Sequence, residues 1–539
     1  MTPRPRISSD FLSFLRRRPA PGRSASPLLM LAVLAVLLLA GCGGNGNTSS
    51  SGGPKTGGTL TVGLDSDVVT LDPLKSTALV DREAMFNIYD TLVRSDQKNN
   101  IQPDLATSWT YSTPTQLEFT LRSDVKFQDG TPFNADAVVF NINRILNTPS
   151  SPRNSELATV ASVTKVDDTH VTFNLKKPFS PLLATLSDRA GMMLSPAVVQ
   201  AQGDSLGNNP AKAGTGPFEF SSWVKGDHLT FTRNPNYWQK DSSGHALPYL
   251  NSVVYKPITN GSVRFTNLET GAINVAEDLD PTDVPSAKTN SSLVYNQIPG
   301  LSFYGIELNT QAAPFNNVHL RRAVEWGVNR QEILTSVLHG IGVVSQGPIS
   351  PSSWAYDSSF APYSYDQANA KSELQQGGQP NGFSFTMLIA SGSPLNTQLA
   401  QFIQSELQPI GIKVTIQQET FAKLLSDSAA HNYQAANLGW SGRVDPDGNT
   451  YAWFHTGGGF NDMQYTNPQV DALLEDARAS SDQSKRTSDY QQADKLILQD
   501  GPYVFLYHGV AVQATTSNVK NFVLLPTTIM VFTTTYLAS

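Results

Sequence analysis

Residues 385–416 read FTMLIASGSPLNTQLAQFIQSELQPIGIKVTI. The stretch begins with the apolar run Phe385–Ile389 and ends with the alternating segment Lys413–Ile416, and both patterns predict strands. Between them, a loop containing glycine and proline leads into Leu395–Leu407, whose apolar residues recur at helical spacing. A strand, a helix and a second strand in close succession are typical of an α/β fold.

The sequence on both sides continues this alternation. A further strand is predicted at Gln434–Gly439. Amphipathic helices are predicted at Leu320–Val328, Gln331–Leu338, Val470–Ala479 and Thr487–Leu498. We therefore expect an α/β lobe that extends from about residue 306 to about residue 500. Periodicity alone does not decide how the last strands of the chain are arranged.

The N-terminal half begins with an alternating strand, Thr59–Leu64. The strand breaks at Asp65–Asp67 and again at Leu71–Pro73, so a loop is expected at its carboxyl end. Further on, apolar residues at helical spacing predict an amphipathic helix over residues 85–94.

The first 58 residues have the pattern of an export and anchoring segment. Leu28–Ala40 is an unbroken apolar run that is too short to span a bilayer, and arginines precede it. Cys42 follows it, and Gly43–Gly58 is almost entirely small and polar. This series resembles a bacterial lipoprotein leader: a signal peptide at 1–41, lipidation of Cys42 and a flexible tether at 42–58. The alternative is a core cysteine after a plain signal peptide.

Length and charge narrow the class of protein. A chain of 539 residues is too long for one hydrophobic core, so at least two lobes are expected. Residues 1–41 contain six arginines and one aspartate, so removing them changes the formal charge from −7 to −12. Such an acidic protein is a poor partner for nucleic acid. Cys42 is the only cysteine, which excludes internal disulfides.

Motifs for catalysis or metal binding are missing from the sequence. It contains no P-loop, no His-Glu-x-x-His and no cysteine pair. Gly439–Arg443 lacks the final glycine of a nucleophile elbow, and Asp445–Thr456 lacks the turn glycine and closing glutamate of a calcium loop. We therefore expect no enzyme activity, no cofactor and no metal. A carboxylate pair assembled in space, as in a secreted hydrolase, stays open.

A set of short motifs resembles one family along nearly the whole chain after residue 56. They are Gly57–Leu60, Leu71–Pro73, Tyr89–Val93, Pro103–Trp109, Phe119–Arg122, Phe127–Phe133, Gly214–Phe218, Arg233–Trp238, Leu308–Thr310, Pro314-Phe315, Arg321–Val324 and Asn329-Arg330. Each motif is short, but their order and spacing are specific. The chain resembles the extracytoplasmic solute-binding proteins of ABC importers, in the peptide and nickel class known as family 5.

The resemblance implies a periplasmic-binding-protein type II fold, in which two α/β lobes are joined by a hinge. Lobe one would comprise residues 59–305, with an extra subdomain at about 100–215, and the return of the chain at 501–539. Lobe two would comprise residues 306–500.

The implied function is capture of a solute between the lobes and its delivery to an ABC permease with cytoplasmic ATPases. The protein would be a monomer, held by its lipid on the outer face of the cell membrane, or periplasmic. The ligand would be a peptide or peptide-like. A receptor for an oligosaccharide, an opine-like conjugate or a metal chelate is the alternative, and a hydrolase or signalling receptor that kept the fold is a further one.

One position departs from the family pattern. Gly439–Asp447 matches the family's cleft loop, in which peptide-binding relatives place an aspartate for the peptide ammonium group; here the residue is Arg443. A buried arginine needs a counter-charge. This would be either an anionic group of the ligand or a nearby carboxylate such as Asp445 or Asp447. The ligand would then combine a cationic or hydroxylated part with an anionic part.

Several other positions are candidates for the cleft, each with a structural alternative. Trp440 would stack on a ligand or belong to the core, and Phe421 is more typical of a helix core. The full set of candidate ligand-binding residues is Asp65, Ser66, Asp67, Val68, Trp354, Phe421, Asn437, Trp440, Ser441, Arg443, Asp445, Asn461 and Tyr507.

Overall fold

The computed structural model describes residues 54–538. The predicted signal peptide, Cys42 and most of the tether lie outside these residues. The helices are Leu79–Met85, Ala135–Leu146, Pro152–Glu156, Leu182–Thr185, Pro196–Gln202, Gly261–Glu269, Val284–Thr289, Val318–Gly327, Arg330–Glu332 with a π turn at Ile333–Val337, Gln367–Gln376, Pro394–Leu407, Phe421–Ala429, Asp447–Phe454, Pro468–Ala479 and Gln483–Asp500. Short 3₁₀ turns occur at Arg189–Gly191, Gly203–Gly207 and Gln408–Ile410.

A seven-stranded sheet, called here the first sheet, combines both ends of the described chain. In spatial order its strands are Leu293–Pro299, Val510–Thr516, Val275–Ala276, Thr59–Leu64, Ser252–Pro257, His228–Arg233 and Phe218–Val224. Thr59–Leu64 runs parallel to both of its neighbours. Because parallel strands end at the same edge, the loop after Leu64 meets the residues that follow Ala276.

A six-stranded sheet, called the second sheet, contains the sequence that predicted the α/β fold. In spatial order its strands are Val343–Val344, Tyr503–His508, Phe303–Leu308, Ala435–Trp440, Ser384–Ala390 and Lys413–Glu419. The last two are parallel and are connected by the helix Pro394–Leu407, which confirms the predicted strand, helix and strand.

The second sheet is covered on both faces. Helices Val318–Gly327 and Pro394–Leu407 pack on one face through aliphatic side chains. On the other face, the helices Asp447–Phe454, Pro468–Ala479 and Gln483–Asp500 enclose a core rich in aromatic residues. Since side chains alternate along a strand, Phe303 and Glu307 lie on the aromatic face of their strand.

A third sheet of four strands forms a separate core. Its strands, in spatial order, are Ala106–Thr113, Gln116–Leu121, His170–Leu175 and Val160–Asp167. The helix Ala135–Leu146 packs against it, and Asn134 caps this helix by accepting a hydrogen bond from Ala137 N. Three two-stranded ribbons complete the fold: Val93–Ser95 with Ile101–Pro103, Val519–Lys520 with Tyr536–Leu537, and Val523–Leu524 with Met530–Val531.

The chain passes between the first and second sheets at two adjacent points. One follows Pro299 and the other lies between His508 and Val510. Gly300 is required there, because a Cβ at this position would lie 2.6 Å from Gly509 O. His508 is buried and its Nδ1 lies 3.0 Å from Ser302 O, so it joins the two crossings. Burial lowers the pKa of His508 to about 4, which keeps the ring neutral near neutral pH.

The helix predicted over residues 85–94 is wrong, since the structure has a helix at Leu79–Met85 that ends at the first residue of this segment. Tertiary packing explains the difference. Ile88 O accepts a hydrogen bond from Gly216 N, and a Cβ on Gly214 would lie 1.8 Å from Ile88 O. The Gly214–Phe218 motif therefore lies against the backbone of residues 87–88, whose carbonyls are not available to a helix. Within residues 54–538, no helix is long and apolar enough to cross a membrane.

Candidate functional site

A cavity of about 820 Å³ is lined by residues from both halves of the chain. Thr77, Ser150 and Pro152 contribute from the N-terminal half. The remaining walls come from the second sheet and the segments that follow it, and they include three glycines at 457–459. This volume is within the range of small-molecule binding sites.

One wall of the cavity is aromatic. Trp440, Trp453 and Phe460 line it, and the Trp440 ring lies 4.7 Å from Phe460 and 5.5 Å from Trp453. The Trp440 Nε1 donates to Asn449 Oδ1 at 3.1 Å, which fixes the plane of the indole. Trp440 is 4% exposed. It therefore belongs to the aromatic core and also forms part of the cavity wall, so the two roles considered for it are compatible.

Another part of the wall is acidic. Glu307 and Asp462 line the cavity, and Ser428 Oγ lies 2.9 Å from Glu307 Oε2 and 3.1 Å from Asp462 Oδ2. Burial raises the pKa of Glu307 well above its usual range, and the neighbouring Asp462 raises it further. Sequence reasoning missed this pair. The available signal was a single glutamate within the otherwise uncharged strand Phe303–Leu308.

Arg443 is buried close to the aromatic wall. Its guanidinium lies 3.9 Å from the centre of the Trp440 ring, and its Nε is 3.4 Å from Asp188 Oδ2. Asn449 accepts from Arg443 N and donates to Arg443 O, and this holds the loop in place. Burial, together with the charge of Arg82, lowers the pKa of Arg443 to about 9.

The two carboxylates expected beside Arg443 are paired elsewhere. Asp445 Oδ1 accepts from Arg486 at 2.6 Å, and Asp447 Oδ1 lies 2.9 Å from Arg478 Nε. The counter-charge of Arg443 is Asp188, which is 255 positions earlier in the chain. Neither Asp445 nor Asp447 is therefore the partner proposed from sequence proximity.

Asp188 joins the N-terminal half of the chain to the Arg443 loop. Its carboxylate accepts from Arg82 Nε at 3.2 Å and from Arg82 Nη2 at 2.5 Å. Arg82 Nη1 in turn donates to Ser441 Oγ at 2.7 Å. Burial would raise the pKa of Asp188, but Arg443, Arg82 and Arg189 hold it well below its usual range. We call Arg82, Asp188, Ser441 and Arg443 the latch.

The candidate residues at 65–68 lie at the carboxyl edge of the first sheet. Asp65 N donates to Glu277 Oε2 at 3.1 Å, and Ser66 Oγ donates to Asp65 Oδ1 at 2.8 Å. Asp67 accepts from the backbone of Gly226, and Val68 is buried. These contacts give each residue a structural role, and the cavity of 820 Å³ is lined by other residues.

Of the remaining candidates, one lines the cavity and the others have structural contacts. Asn461 lines the cavity and holds its own loop through Tyr465 O. Asn437 donates to Gly305 O across the second sheet, and Tyr507 stacks on Tyr304 with ring centres 4.8 Å apart. Trp354 packs edge-on against Tyr490, and Phe421 begins its helix among apolar neighbours. These four side chains lie outside the cavity wall. Of the thirteen candidates, Trp440 and Asn461 line the cavity.

A second carboxylate cluster leads to a prediction about pH. Burial, with the nearby Asp65 carboxylate, raises the pKa of Glu277 from 4.5 to about 8. The contribution of the protonated Glu277 carboxyl to the free energy of unfolding is fully present below pH 4.5. It is lost as the pH rises to about 8. The free energy of unfolding should therefore decrease across this interval, by up to about 1.4 kcal/mol per pH unit. Glu277→Gln should flatten the decrease when urea unfolding is followed from pH 5 to pH 8. An unchanged slope in Glu277→Gln would contradict this assignment.

The described residues give no support for a metal centre. Within residues 54–538, no group of three or more His, Cys, Asp or Glu side chains is placed to hold a metal ion. The cavity instead combines an aromatic wall, an acidic pair and a nearby buried arginine. These groups are suited to binding an organic solute by stacking and hydrogen bonding.

Comparison with known proteins supports this interpretation. The family model described as "Bacterial extracellular solute-binding proteins, family 5 Middle" matches residues 100–462. The chain belongs to this family. The resemblance found in the sequence motifs is thereby confirmed, and the chain is an extracytoplasmic solute-binding protein.

Individual family 5 members match over most of their length. "Probable D,D-dipeptide-binding periplasmic protein DdpA" of Escherichia coli is 31% identical, covering 88% of this chain and 93% of that protein. "Glutathione-binding protein GsiB" of Shigella dysenteriae is 28% identical over 87% of this chain and 92% of that protein.

Solved structures of family 5 proteins share the fold. Helicobacter pylori DppA in complex with the peptide STSA has a TM-score of 0.82 and 28% identity, covering 90% of this chain and 99% of that chain. Bacillus subtilis AppA in complex with a nonapeptide has a TM-score of 0.84 and 27% identity, covering 90% and 100%. The predicted α/β periplasmic-binding-protein fold is confirmed.

Proposed function

We propose that this family 5 protein captures a peptide-like solute in the 820 Å³ cavity and delivers it to an ABC permease. In this proposal the first and third sheets form lobe one, the second sheet forms lobe two, and the crossings at Gly300 and Gly509 form the hinge. The protein acts as a monomer and breaks no bond of the solute. A lipid on Cys42, after removal of residues 1–41, holds it on the outer face of the membrane.

The observation that carries this proposal is the composition of the cavity wall. Thr77, Ser150 and Pro152 belong to one side of the hinge, while Trp440 and Phe460 belong to the other. A solute bound there contacts both lobes only when they are closed, so binding favours the closed state. The latch, which also joins the two sides, is part of the same closed state.

The nature of the wall supports a peptide-like ligand. Stacking surfaces at Trp440 and Phe460 suit apolar or planar parts of a solute, while Glu307 and Asp462 suit hydrogen-bond donors or a cationic group. Relatives named for a dipeptide or for glutathione and neighbours solved with peptides point in the same direction.

Blocking the cavity tests the proposal. Ala429 is exposed at the end of the helix Phe421–Ala429 and lines the cavity, so Ala429→Trp places an indole in the space for the solute. Native mass spectrometry of a protein that begins at Lys55 should show a retained solute that Ala429→Trp has lost. A ligand at one hundred times its dissociation constant adds about 2.7 kcal/mol of stability, so a tight solute is expected to survive gentle purification.

Ala422→Trp is the matched control. Ala422 is exposed on the same helix and is not part of the cavity wall, so this variant should keep the solute. After any bound solute has been removed, the thermal midpoints of Ala429→Trp and Ala422→Trp should agree closely. Retention of the same solute by both variants would refute binding in this cavity.

A further inference from the structure

We propose that Arg153, Arg189 and Arg443 form a site for an oxyanion, and that this oxyanion is the anionic group of the solute. The inference rests on the proposed function and specifies the chemistry of the ligand. It identifies the ligand class as solutes that carry a carboxylate or phosphoryl group at one end.

The first observation is an excess of buried positive charge. Four arginines, Arg82, Arg153, Arg189 and Arg443, are at most 9% exposed as whole residues, and their charges repel one another at close range. Four carboxyl groups face them, those of Asp188, Glu156, Asp81 and Glu83. Burial and the nearby Glu277 carboxyl raise the pKa of Glu83 well above its usual range, which favours its neutral form. With Glu83 neutral, one positive charge remains without a charged carboxylate among the described residues. Buried cations are strongly disfavoured unless they are paired, so an anion would stabilise this arrangement.

The second observation is a set of buried donors without hydrogen bonds. Within residues 54–538, no hydrogen-bond acceptor is aligned with Arg153 Nε, Nη1 or Nη2, with Arg189 Nε or Nη2, or with Arg443 Nη2. Arg153 Nη2 lies 3.0 Å from Glu156 Oε1 without the geometry of a hydrogen bond. Buried polar groups are nearly always hydrogen-bonded, so six such nitrogens in one cluster indicate a missing acceptor. Carboxylate and phosphoryl oxygens are the acceptors that guanidinium groups bind most strongly.

The third observation is the position of the cluster next to the cavity. The Arg443 guanidinium stacks on Trp440, and that of Arg153 lies 5.4 Å from the centre of the Phe460 ring. Both rings line the 820 Å³ cavity. Arg443 also lines a smaller space of about 30 Å³ with Glu156, Asp188, Asp445, Asp447 and Arg478. Asp445 and Asp447 are paired there with Arg486 and Arg478, so they do not neutralise Arg443.

The geometry of the second sheet places this cluster far from the acidic pair. Trp440 is paired with Phe303, and Glu307 is four residues further along that strand. At about 3.3 Å per residue, Glu307 is about 13 Å along the strand from the position beside Trp440. An extended peptide-like solute of a few residues spans this distance, with its anionic end at the arginines and a hydrogen-bond donor or cation at Glu307.

Anion titrations test the site. The thermal midpoint of the protein beginning at Lys55 is measured against sodium phosphate and sodium acetate, with sodium chloride holding the ionic strength constant. Phosphate should raise the midpoint in a saturable way. Arg153→Met should weaken the apparent phosphate affinity at least tenfold. Glu156→Gln, which removes a half-buried negative charge beside Arg153, should strengthen it at least threefold.

Arg122→Met is the matched control, because Arg122 is paired with the exposed Asp124 and with none of the carboxyl groups of the cluster. It should leave the phosphate affinity unchanged. A comparable effect of acetate would identify a carboxylate site, while an effect of phosphate alone would identify a phosphoryl site. If Arg153→Met fails to fold, the wild type and Glu156→Gln decide the question, since their predicted responses do not depend on that variant.

Two outcomes would overturn the inference: no saturable effect of either oxyanion on the wild type, or a weakened affinity in Glu156→Gln, which would make the arginines a purely structural network. Failure of the oxyanion site and failure of the proposed function give different experimental results. A neutral or cationic solute retained by the wild type and lost in Ala429→Trp would refute the oxyanion site alone. Phosphate binding without any retained solute would leave the oxyanion site and refute solute capture.

Discussion

Asp188→Asn is expected to lower the free energy of unfolding by about 3–5 kcal/mol. The Asp188 carboxylate receives two hydrogen bonds from Arg82 and lies 3.4 Å from Arg443. Replacing it with a neutral amide leaves both guanidinium groups buried without their shared counter-charge. The cost of that uncompensated charge, rather than the value of a single contact, sets the size of the effect. Urea unfolding near pH 7 measures it.

The control for Asp188→Asn is Asp124→Asn. Asp124 also forms a bidentate pair with an arginine, Arg122, but this pair is exposed. Exposed ion pairs contribute about 0–1 kcal/mol, so the control should remain close to the wild type. Equal effects of the two variants would show that the latch is not held by buried charge.

Phe303→Ala is the second large change, with an expected loss of about 3–5 kcal/mol. The Phe303 ring is fully buried and has edge contacts at 5.3–5.4 Å with Trp453, Tyr503 and Phe505. It is also the cross-strand partner of Trp440, and both rings contact Trp453, so Phe303 is part of the packing that fixes the aromatic wall. Removing it leaves a void in a rigid aromatic cluster that is unable to collapse completely. The same variant should bind the solute more weakly, because Trp453, which lines the cavity and contacts Trp440, loses its neighbour Phe303.

Val224→Ala provides the comparison for Phe303→Ala. Val224 is 51% exposed at the edge of the first sheet, and changes at such positions are usually within about 0.5 kcal/mol of the wild type. Chemical denaturation of both variants separates the loss of core packing from general effects of shortening a side chain. A loss below about 1 kcal/mol in Phe303→Ala would show that the aromatic face does not support the fold.

The parts of the fold that depend on local pattern were predictable. The segment Ser384–Glu419 contains a strand, a helix and a strand whose apolar spacing is unambiguous, and the structure reproduces it. The helix expected over 85–94 shows the limit of this reasoning. Its spacing is helical, but the backbone carbonyls of residues 87–88 are taken by the Gly214–Phe218 segment, and only tertiary structure reveals that competition.

The site was less predictable for a related reason. The sequence pointed to Trp440 and to the need of Arg443 for a counter-charge, because both follow from residue type and from the family's cleft loop. It did not reveal Asp188, which is 255 positions away from Arg443, or the pairing of Glu307 with Asp462 through Ser428. Both partnerships are set by how the sheets are placed in space, and spacing along the chain carries no record of that placement.

A crystal structure of the gently purified protein is the most direct test of solute capture between two lobes. The account predicts density for a solute in the 820 Å³ cavity, against Trp440 and Phe460 and within reach of Glu307, with the latch closed. A solute bound on the surface of one lobe, or a closed latch around a cavity that holds only water, would contradict it.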